Sequence, residues 1–201
     1  MIRLTYIFFV LFILGLSACT SSVERPIAVL ETTRGTIEIE VYIDKAPISG
    51  ADFMRYVENG YYNGEGFYRV VRADNDPMEM GMSLIQGGRL DSEPVTPPIE
   101  HELTTETGLS NTEGVVSIAR LEPGTGSATY FFINIGDNSF LDYGGERNPD
   151  GQGYATFGKV VSGMEVVREI QAMEAKGLSG DDVITGQILT NPVKITVAYR
   201  K

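Results

Sequence analysis

The sequence predicts a mainly β fold: a closed eight-stranded antiparallel barrel capped by two α-helices. Eight short apolar runs are spread along the chain, two of them alternating strictly between apolar and polar residues, and two further stretches have helical periodicity. A single sheet closed into a barrel, with one helix over each open end, uses all of these elements. At 201 residues, with no internal repeat or mid-chain linker, the chain indicates one folded domain.

The strand candidates are short runs bounded by turn residues. Residues 27–33 and 36–43 flank Arg34-Gly35 and predict a hairpin, and residues 193–199 alternate as strictly as the second of these runs. The other five candidates are residues 67–71, 84–87, 115–119, 129–135 and 156–161. Within residues 67–71, alternation places Phe67 and Val71 on the face of Arg69, and Tyr68 and Val70 on the opposite face.

Two stretches depart from this pattern and predict helices. Residues 47–59 begin with Pro47 and are followed by Gly60, and these residue types favour a helix start and a helix stop. Residues 164–176 form the second predicted helix, and Gly177 follows it as a stop signal. The apolar face of this helix contains Val166, Val167, Ile170 and Met173.

The N-terminal residues predict a targeting segment. Arg3 precedes an apolar run at residues 6–14, which has signal-peptide length and is too short to span a bilayer comfortably. Leu16-Ser17-Ala18-Cys19 resembles the bacterial lipobox, and the only cysteine of the chain stands where that motif receives its lipid. We therefore expect a lipoprotein signal segment at 1–19 with lipidation at Cys19, a tether at 20–26 and a folded domain at 27–201. The expected location is the cell envelope, anchored to a bacterial membrane and facing the periplasm or exterior, with an uncleaved signal anchor as the alternative.

Composition excludes several classes of function. The net charge of −11, with no Lys/Arg run longer than two residues, excludes the concentrated basic face that a nucleic-acid partner requires. A single His101 and a single Cys19 remove most metal sites and Cys/His catalytic schemes, so no metal is expected. His101 lies between Glu100 and Glu102 and is interpreted as a surface histidine.

Four groups of residues then follow one another in a recognisable order. They are residues 46–63; residues 67–71 with 85–88; residues 114–120 with 127–134; and residues 140–142 with 154–164. Each would be ordinary barrel sequence alone, but together they resemble the cyclophilin family over about residues 27–200. The resemblance implies a peptidyl-prolyl cis/trans isomerase that acts without a cofactor on Pro-containing polypeptide clients in the cell envelope, as a folding helper. A monomer is expected.

The resemblance also assigns roles to individual residues. Arg69 would donate a hydrogen bond to the prolyl amide, and Gln86 would hold the substrate carbonyl and help to position Arg69. Arginine suits this role because its charge is permanent and its planar guanidinium can be held by neighbours. The substrate-binding residues implied by the resemblance are Leu84, Ala119, Arg120, Tyr130, Phe132, Phe140, Leu141 and Tyr154.

Departures from the family pattern keep a second hypothesis open. Ser83 stands where an aromatic residue usually walls the pocket, so Met80 or Met82 would have to replace it, and Tyr130 stands where Gln is usual. Residues 72–82 are an insertion, expected to form a loop at the rim of the groove. The alternative function is a weakly active or inactive module of this fold that binds Pro-containing segments.

A third hypothesis ignores the family resemblance. It is a lipocalin-like barrel that carries an apolar ligand in a hollow interior. The residues expected to point inward are bulky and indicate a filled barrel instead: Ile37, Ile39, Phe131, Ile133 and Ile195.

Overall fold

The computed structural model describes residues 24–89, 94–120, 122–177 and 184–201. The predicted signal segment with Cys19, and residues 20–23 of the predicted tether, lie outside these ranges. In the described part of the chain, no helix is long and apolar enough to cross a bilayer.

Eight strands close into one antiparallel barrel, as predicted. The strands of the chain are β1 Ile27–Thr32, β2 Gly35–Val41, β3 Gly66–Val71, β4 Leu84–Gly88, β5 Ile99–Glu100, β6 Val115–Ile118, β7 Thr125–Gly126, β8 Tyr130–Asn134, β9 Thr156–Ser162 and β10 Ile188–Arg200. Around the barrel their order is β1-β10-β3-β4-β8-β6-β9-β2, while β5 and β7 form a separate two-stranded sheet. Each predicted strand is present, and the β5–β7 pair was not predicted.

The helices also follow the prediction, with two differences. They are α1 Pro47–Glu58, α2 Thr104–Thr107 and α3 Met164–Gln171, and a 3₁₀ turn spans Ser139–Leu141. The short α2 was not predicted, and α3 ends before the predicted residue 176. Arg72 donates from Nη1 to the carbonyls of Gln171 at 2.7 Å and Met173 at 3.3 Å. Carbonyls at the helix end are therefore satisfied from outside the helix, which allows the chain to leave α3 there.

The barrel interior is filled. The five residues predicted to point inward are all fully buried: Ile37, Ile39, Phe131, Ile133 and Ile195. Phe53 of α1 closes one end, with its ring centroid 5.3 Å from that of Phe131 and 4.7 Å from that of Phe157. Full burial of each such side chain stabilises the fold by about 1.5–3 kcal/mol. The interior is a packed core, so the hollow barrel that a lipocalin-like carrier requires is not present in the described residues.

Candidate active site

A cavity of about 510 Å³ lies outside the barrel, along β3, β4 and β8. Its apolar part is formed by Met82, Leu84, Phe132 and Leu141, which belong to one buried cluster with Val71. Each predicted substrate-binding residue except Phe140 lines the cavity, together with Arg69 and Gln86. Phe140 packs, partly buried, against the apolar cluster. The fold thus brings residues from distant parts of the sequence to one concave surface.

Arg69 is held in a fixed position within this cavity. Its Nη1 donates to Gln86 Oε1 at 2.8 Å, and its Nε and Nη2 both donate to Gln187 Oε1 at 2.8 and 2.6 Å. Gln187 is fully buried, and its own Nε2 donates to the Asn75 carbonyl at 2.8 Å. Two amide oxygens therefore orient the guanidinium plane. Gln187 was not predicted, because it lies in a segment without strand or helix periodicity.

A β-bulge places Tyr68 beside Arg69. In the β3–β4 ladder, Phe67 is paired with Gly87 and Arg69 with Gln86, so Tyr68 has no partner of its own. Phe67 consequently points into the core, whereas Tyr68 and Arg69 both line the cavity. The prediction that Phe67 shares the face of Arg69 and that Tyr68 points away was therefore wrong, because the bulge breaks the strict alternation.

Tyr68 fixes the orientation of the Gln86 amide. Gln86 Nε2 donates to the Tyr68 hydroxyl at 2.9 Å, which leaves Gln86 Oε1 directed at Arg69. Burial raises the pKa of Tyr68 well above its ordinary value of 10.0, so the hydroxyl stays neutral over the physiological range. Tyr68, Gln86, Arg69 and Gln187 form a continuous chain of hydrogen bonds along one wall.

The apolar wall is completed by Met82. Met82 is 4% exposed and lines the cavity, so of the two methionines that could replace the missing aromatic residue it is Met82 that folds in. Ser83 does not line the cavity. Its Oγ accepts a hydrogen bond from Gln171 Nε2 at 2.7 Å, so its side chain is directed at the end of α3.

One wall of the cavity contains hydroxyl groups that the sequence analysis did not identify. Thr96, Ser127 and Thr129 contribute to the lining. Their hydroxyls lie 3.1, 3.3 and 2.7 Å from the buried Tyr56 hydroxyl. Alternation within a strand gave no signal for them, because Thr96 and Ser127 lie outside the strands and are brought together around the Tyr56 hydroxyl of α1.

Arg120 forms part of the opposite wall. Its guanidinium pairs with Asp150 at 2.8 Å and lies 5.5 Å from the centre of the Tyr154 ring. Tyr154 in turn packs edge-on against Phe132, with ring centroids 5.3 Å apart. These contacts hold three of the predicted substrate-binding residues in one unit.

His101 does not line the cavity. Its Nε2 lies 3.1 Å from the Gln152 carbonyl, and the residue is partly exposed. Burial lowers the pKa of the imidazole below its ordinary value of 6.5, while the Gln152 contact acts in the opposite direction. We assign it no part in the site.

The fold and the site together define a class of protein: a filled β-barrel with a largely apolar cavity on its outer wall, beside a fixed arginine. The chain belongs to the cyclophilin family of peptidyl-prolyl cis-trans isomerases, because the family model "Cyclophilin type peptidyl-prolyl cis-trans isomerase/CLD" matches residues 27–198.

Known proteins agree with this assignment. A peptidyl-prolyl cis-trans isomerase of Acinetobacter baylyi is 38% identical over 160 residues, which cover 78% of this chain and 77% of that protein. Peptidyl-prolyl cis-trans isomerase B of Escherichia coli is 34% identical over 171 residues, 82% of this chain and 96% of that protein. The crystal structure of a cyclophilin type peptidyl-prolyl cis-trans isomerase from Cryptosporidium parvum matches the fold with a TM-score of 0.65 at 17% identity, covering 89% of this chain and 98% of that one.

Proposed function

We propose that the cavity on β3, β4 and β8 accelerates cis–trans isomerisation of X-Pro bonds in polypeptide segments of extracytoplasmic proteins. One observation carries this proposal above the others. The guanidinium of Arg69 is fixed by Gln86 and Gln187 in the same cavity as the apolar cluster that contains Phe132 and Leu141. A proline ring in that cluster would bring its amide close to a preorganised cation.

The reaction requires little else. Rotation about a peptide bond faces a barrier of about 18–20 kcal/mol because the nitrogen lone pair is delocalised into the carbonyl. In the twisted state the prolyl nitrogen recovers its lone pair and becomes a better hydrogen-bond acceptor. A donor that interacts more strongly with this state than with either planar state lowers the barrier. No covalent bond is made or broken, so the mechanism needs neither a nucleophile nor a cofactor.

The remaining lining residues would hold the substrate. Leu84, Phe132 and Leu141 would contact the proline ring, and Gln86 would hold the carbonyl that precedes it. The peptide backbone would run in extended form past Ala119 and Arg120, which line the cavity on the side of β6. Such contacts restrict the peptide without themselves favouring the twisted state, so they determine which segments bind.

A protease-coupled assay tests this proposal. An Ala-Ala-Pro-Phe peptide with a chromogenic leaving group is cleaved only as the trans isomer, so catalysis appears as faster conversion of the cis fraction. We expect the chain to accelerate this phase in proportion to its concentration. A chain that binds the peptide in a calorimetric titration but leaves this phase unchanged would be the Pro-binding module instead.

The proposed setting is the cell envelope, where the protein would assist the folding of secreted or envelope proteins. The support is the solitary Cys19 directly after Leu16-Ser17-Ala18, at the position where a lipobox accepts its lipid. A lipid on Cys19 would hold the domain at a membrane, with residues 20–26 as tether. Cys19→Ser should block lipoprotein processing and leave the barrel folded, whereas Ser22→Ala is the matched control. Unchanged processing and membrane fractionation in Cys19→Ser would refute the anchor.

A further inference from the structure

The insertion between β3 and β4 is folded around one buried carboxylate. Asp76 is 4% exposed. Its Oδ1 accepts the backbone N–H of Met78 at 3.2 Å, and its Oδ2 accepts those of Met80 at 3.1 Å and Met82 at 3.2 Å. Three backbone donors therefore converge on a single side chain, and this convergence defines the path of the insertion as far as Met82.

Arg147 supplies the opposite charge from another part of the chain. Its Nη1 lies 3.8 Å from Asp76 Oδ1, its side chain is only 9% exposed, and it also contacts the sulfur of Met78. A buried carboxylate without a partner would be strongly destabilising, so this ion pair makes the buried position of Asp76 tenable. Arg147 follows the 3₁₀ turn that carries Leu141, and it lines the cavity itself.

The contacts of Asp76 end at the apolar wall of the cavity. Met82 is the last backbone donor to Asp76, and its side chain belongs to the buried cluster with Leu84 and Phe132. The next residue, Ser83, donates its N–H to Asn138 Oδ1 at 3.1 Å. The backbone around Met82 is thus fixed on both sides, by Asp76 before it and Asn138 after it.

We infer that Asp76 is a positioning residue, which through its pair with Arg147 holds Met82 in the wall of the substrate cavity. The insertion thereby becomes part of the substrate-binding site. This inference rests on the proposed function, since it concerns the same cavity. Met82 would contact bound peptide equally in the planar and twisted states, so its displacement should raise KM and leave kcat unchanged.

Asp76→Asn is the direct test. Asparagine retains one acceptor oxygen, turns an NH₂ group toward backbone donors and loses the charge that pairs with Arg147. We expect KM for the Ala-Ala-Pro-Phe peptide, and its calorimetric Kd, to rise about five- to tenfold, the loss expected when part of a Met side chain no longer shields the ligand. Asp74→Asn is the matched control, because Asp74 lies in the same insertion with its side chain 74% exposed. It should leave both constants unchanged.

A double-mutant cycle shows whether Asp76 acts through Met82. If it does, Asp76→Asn combined with Met82→Ala should give the KM of Met82→Ala alone, because the two changes remove the same contact. Additive increases in KM, or a fall in kcat with KM unchanged, would overturn the inference. If melting curves show that Asp76→Asn is unfolded, Asp76→Glu takes its place in the cycle with the same expectation, because glutamate keeps the charge that pairs with Arg147 but displaces the carboxylate from the three N–H donors by one methylene.

The calorimetric measurement separates the two proposals. A parent chain that lacks isomerase activity refutes the proposed function, but the Kd comparison still decides the role of Asp76. Conversely, an active parent whose Kd and KM are unaffected by Asp76→Asn refutes the positioning role and leaves the isomerase intact.

Discussion

Arg69→Ala should cause a large loss of activity in a chain that remains folded. The structure sets the magnitude, because three hydrogen bonds of 2.6–2.8 Å to two amide oxygens preorganise the guanidinium before substrate binds. Removal of one preorganised donor at other enzyme sites lowers the rate by about 10²–10³, equivalent to about 2.7–4 kcal/mol. We expect kcat/KM to fall by that factor.

The substitution also has a cost in stability. Gln187 Oε1 is buried and loses both of its Arg69 donors, and an unsatisfied buried acceptor costs about 1–3 kcal/mol. A domain whose free energy of unfolding is about 5–15 kcal/mol tolerates this loss. The melting temperature should therefore fall while the circular dichroism spectrum stays native. Arg69→Lys should not restore activity, since a flexible ammonium cannot reproduce a planar fork that bonds two oxygens at once.

The protease-coupled assay, run beside melting curves, distinguishes the outcomes. Arg34→Ala is the matched control, because Arg34 is an exposed arginine paired with Glu169 at 3.2 Å outside the cavity. It should retain the parent kcat/KM. If folded Arg69→Ala isomerises the peptide as fast as the parent, the guanidinium is not the catalytic donor and the argument from its geometry fails.

Three further predictions concern residues around and away from Arg69. Gln187→Ala should lower kcat/KM by about ten- to hundredfold, because a misplaced catalytic group loses its aligned geometry; parent-like kinetics in a folded variant would exclude a positioning role. Tyr68→Phe removes the acceptor that orients Gln86, and loss of one hydrogen bond predicts a two- to tenfold fall in kcat/KM; an unchanged value would show that Gln86 is oriented without it. His101 has a lowered pKa in the folded state, so its contribution to stability is complete above about pH 6.5 and is lost as the pH falls below that value. Between pH 7.5 and pH 5, the melting temperature of His101→Gln should therefore fall less than that of the parent. Identical pH profiles of the melting temperature would contradict this.

The overall fold could be predicted because its signals are local. Short apolar runs between turn residues identified the barrel strands, two of them by strict period-two alternation, and Pro47 and Gly60 identified the limits of α1. The β-bulge at Tyr68 could not be predicted this way, since it depends on pairing with β4. A Cβ atom on Gly87 would lie 2.8 Å from the Phe67 ring, so glycine at this position gives Phe67 the room to turn into the core. That relation appears only when the two strands are placed side by side.

The candidate site was predicted for a different reason. Arg69, Gln86 and the apolar lining residues were identified from the family resemblance, because their chemistry is not visible in composition or periodicity. Gln187 and Tyr68 were missed, since their roles arise from contacts across the fold: Gln187 reaches Arg69 over a separation of 118 residues. Phe140 packs partly buried against the apolar cluster, whereas Leu141 of the same 3₁₀ turn lines the cavity, so substrate contact by Phe140 stays a prediction.

Two departures from the family pattern, Ser83 and the insertion at residues 72–82, meet at the end of α3. Gln171 uses its side-chain amide to bond the Val71 carbonyl and Ser83 Oγ, and its own carbonyl accepts from Arg72 at the start of the insertion. These contacts join the early end of α3 to Ser83 and to the first residue of the insertion. Met82 fills the part of the wall that an aromatic residue would form. The hydrogen-bonded chain from Tyr68 to Gln187 meets this arrangement at Asn75, whose carbonyl accepts from Gln187 Nε2 and whose Oδ1 accepts from the Arg72 N–H. Under the positioning role inferred for Asp76, changes in the insertion should alter which peptides bind, whereas the hydrogen bonds that hold the Arg69 guanidinium stay in place.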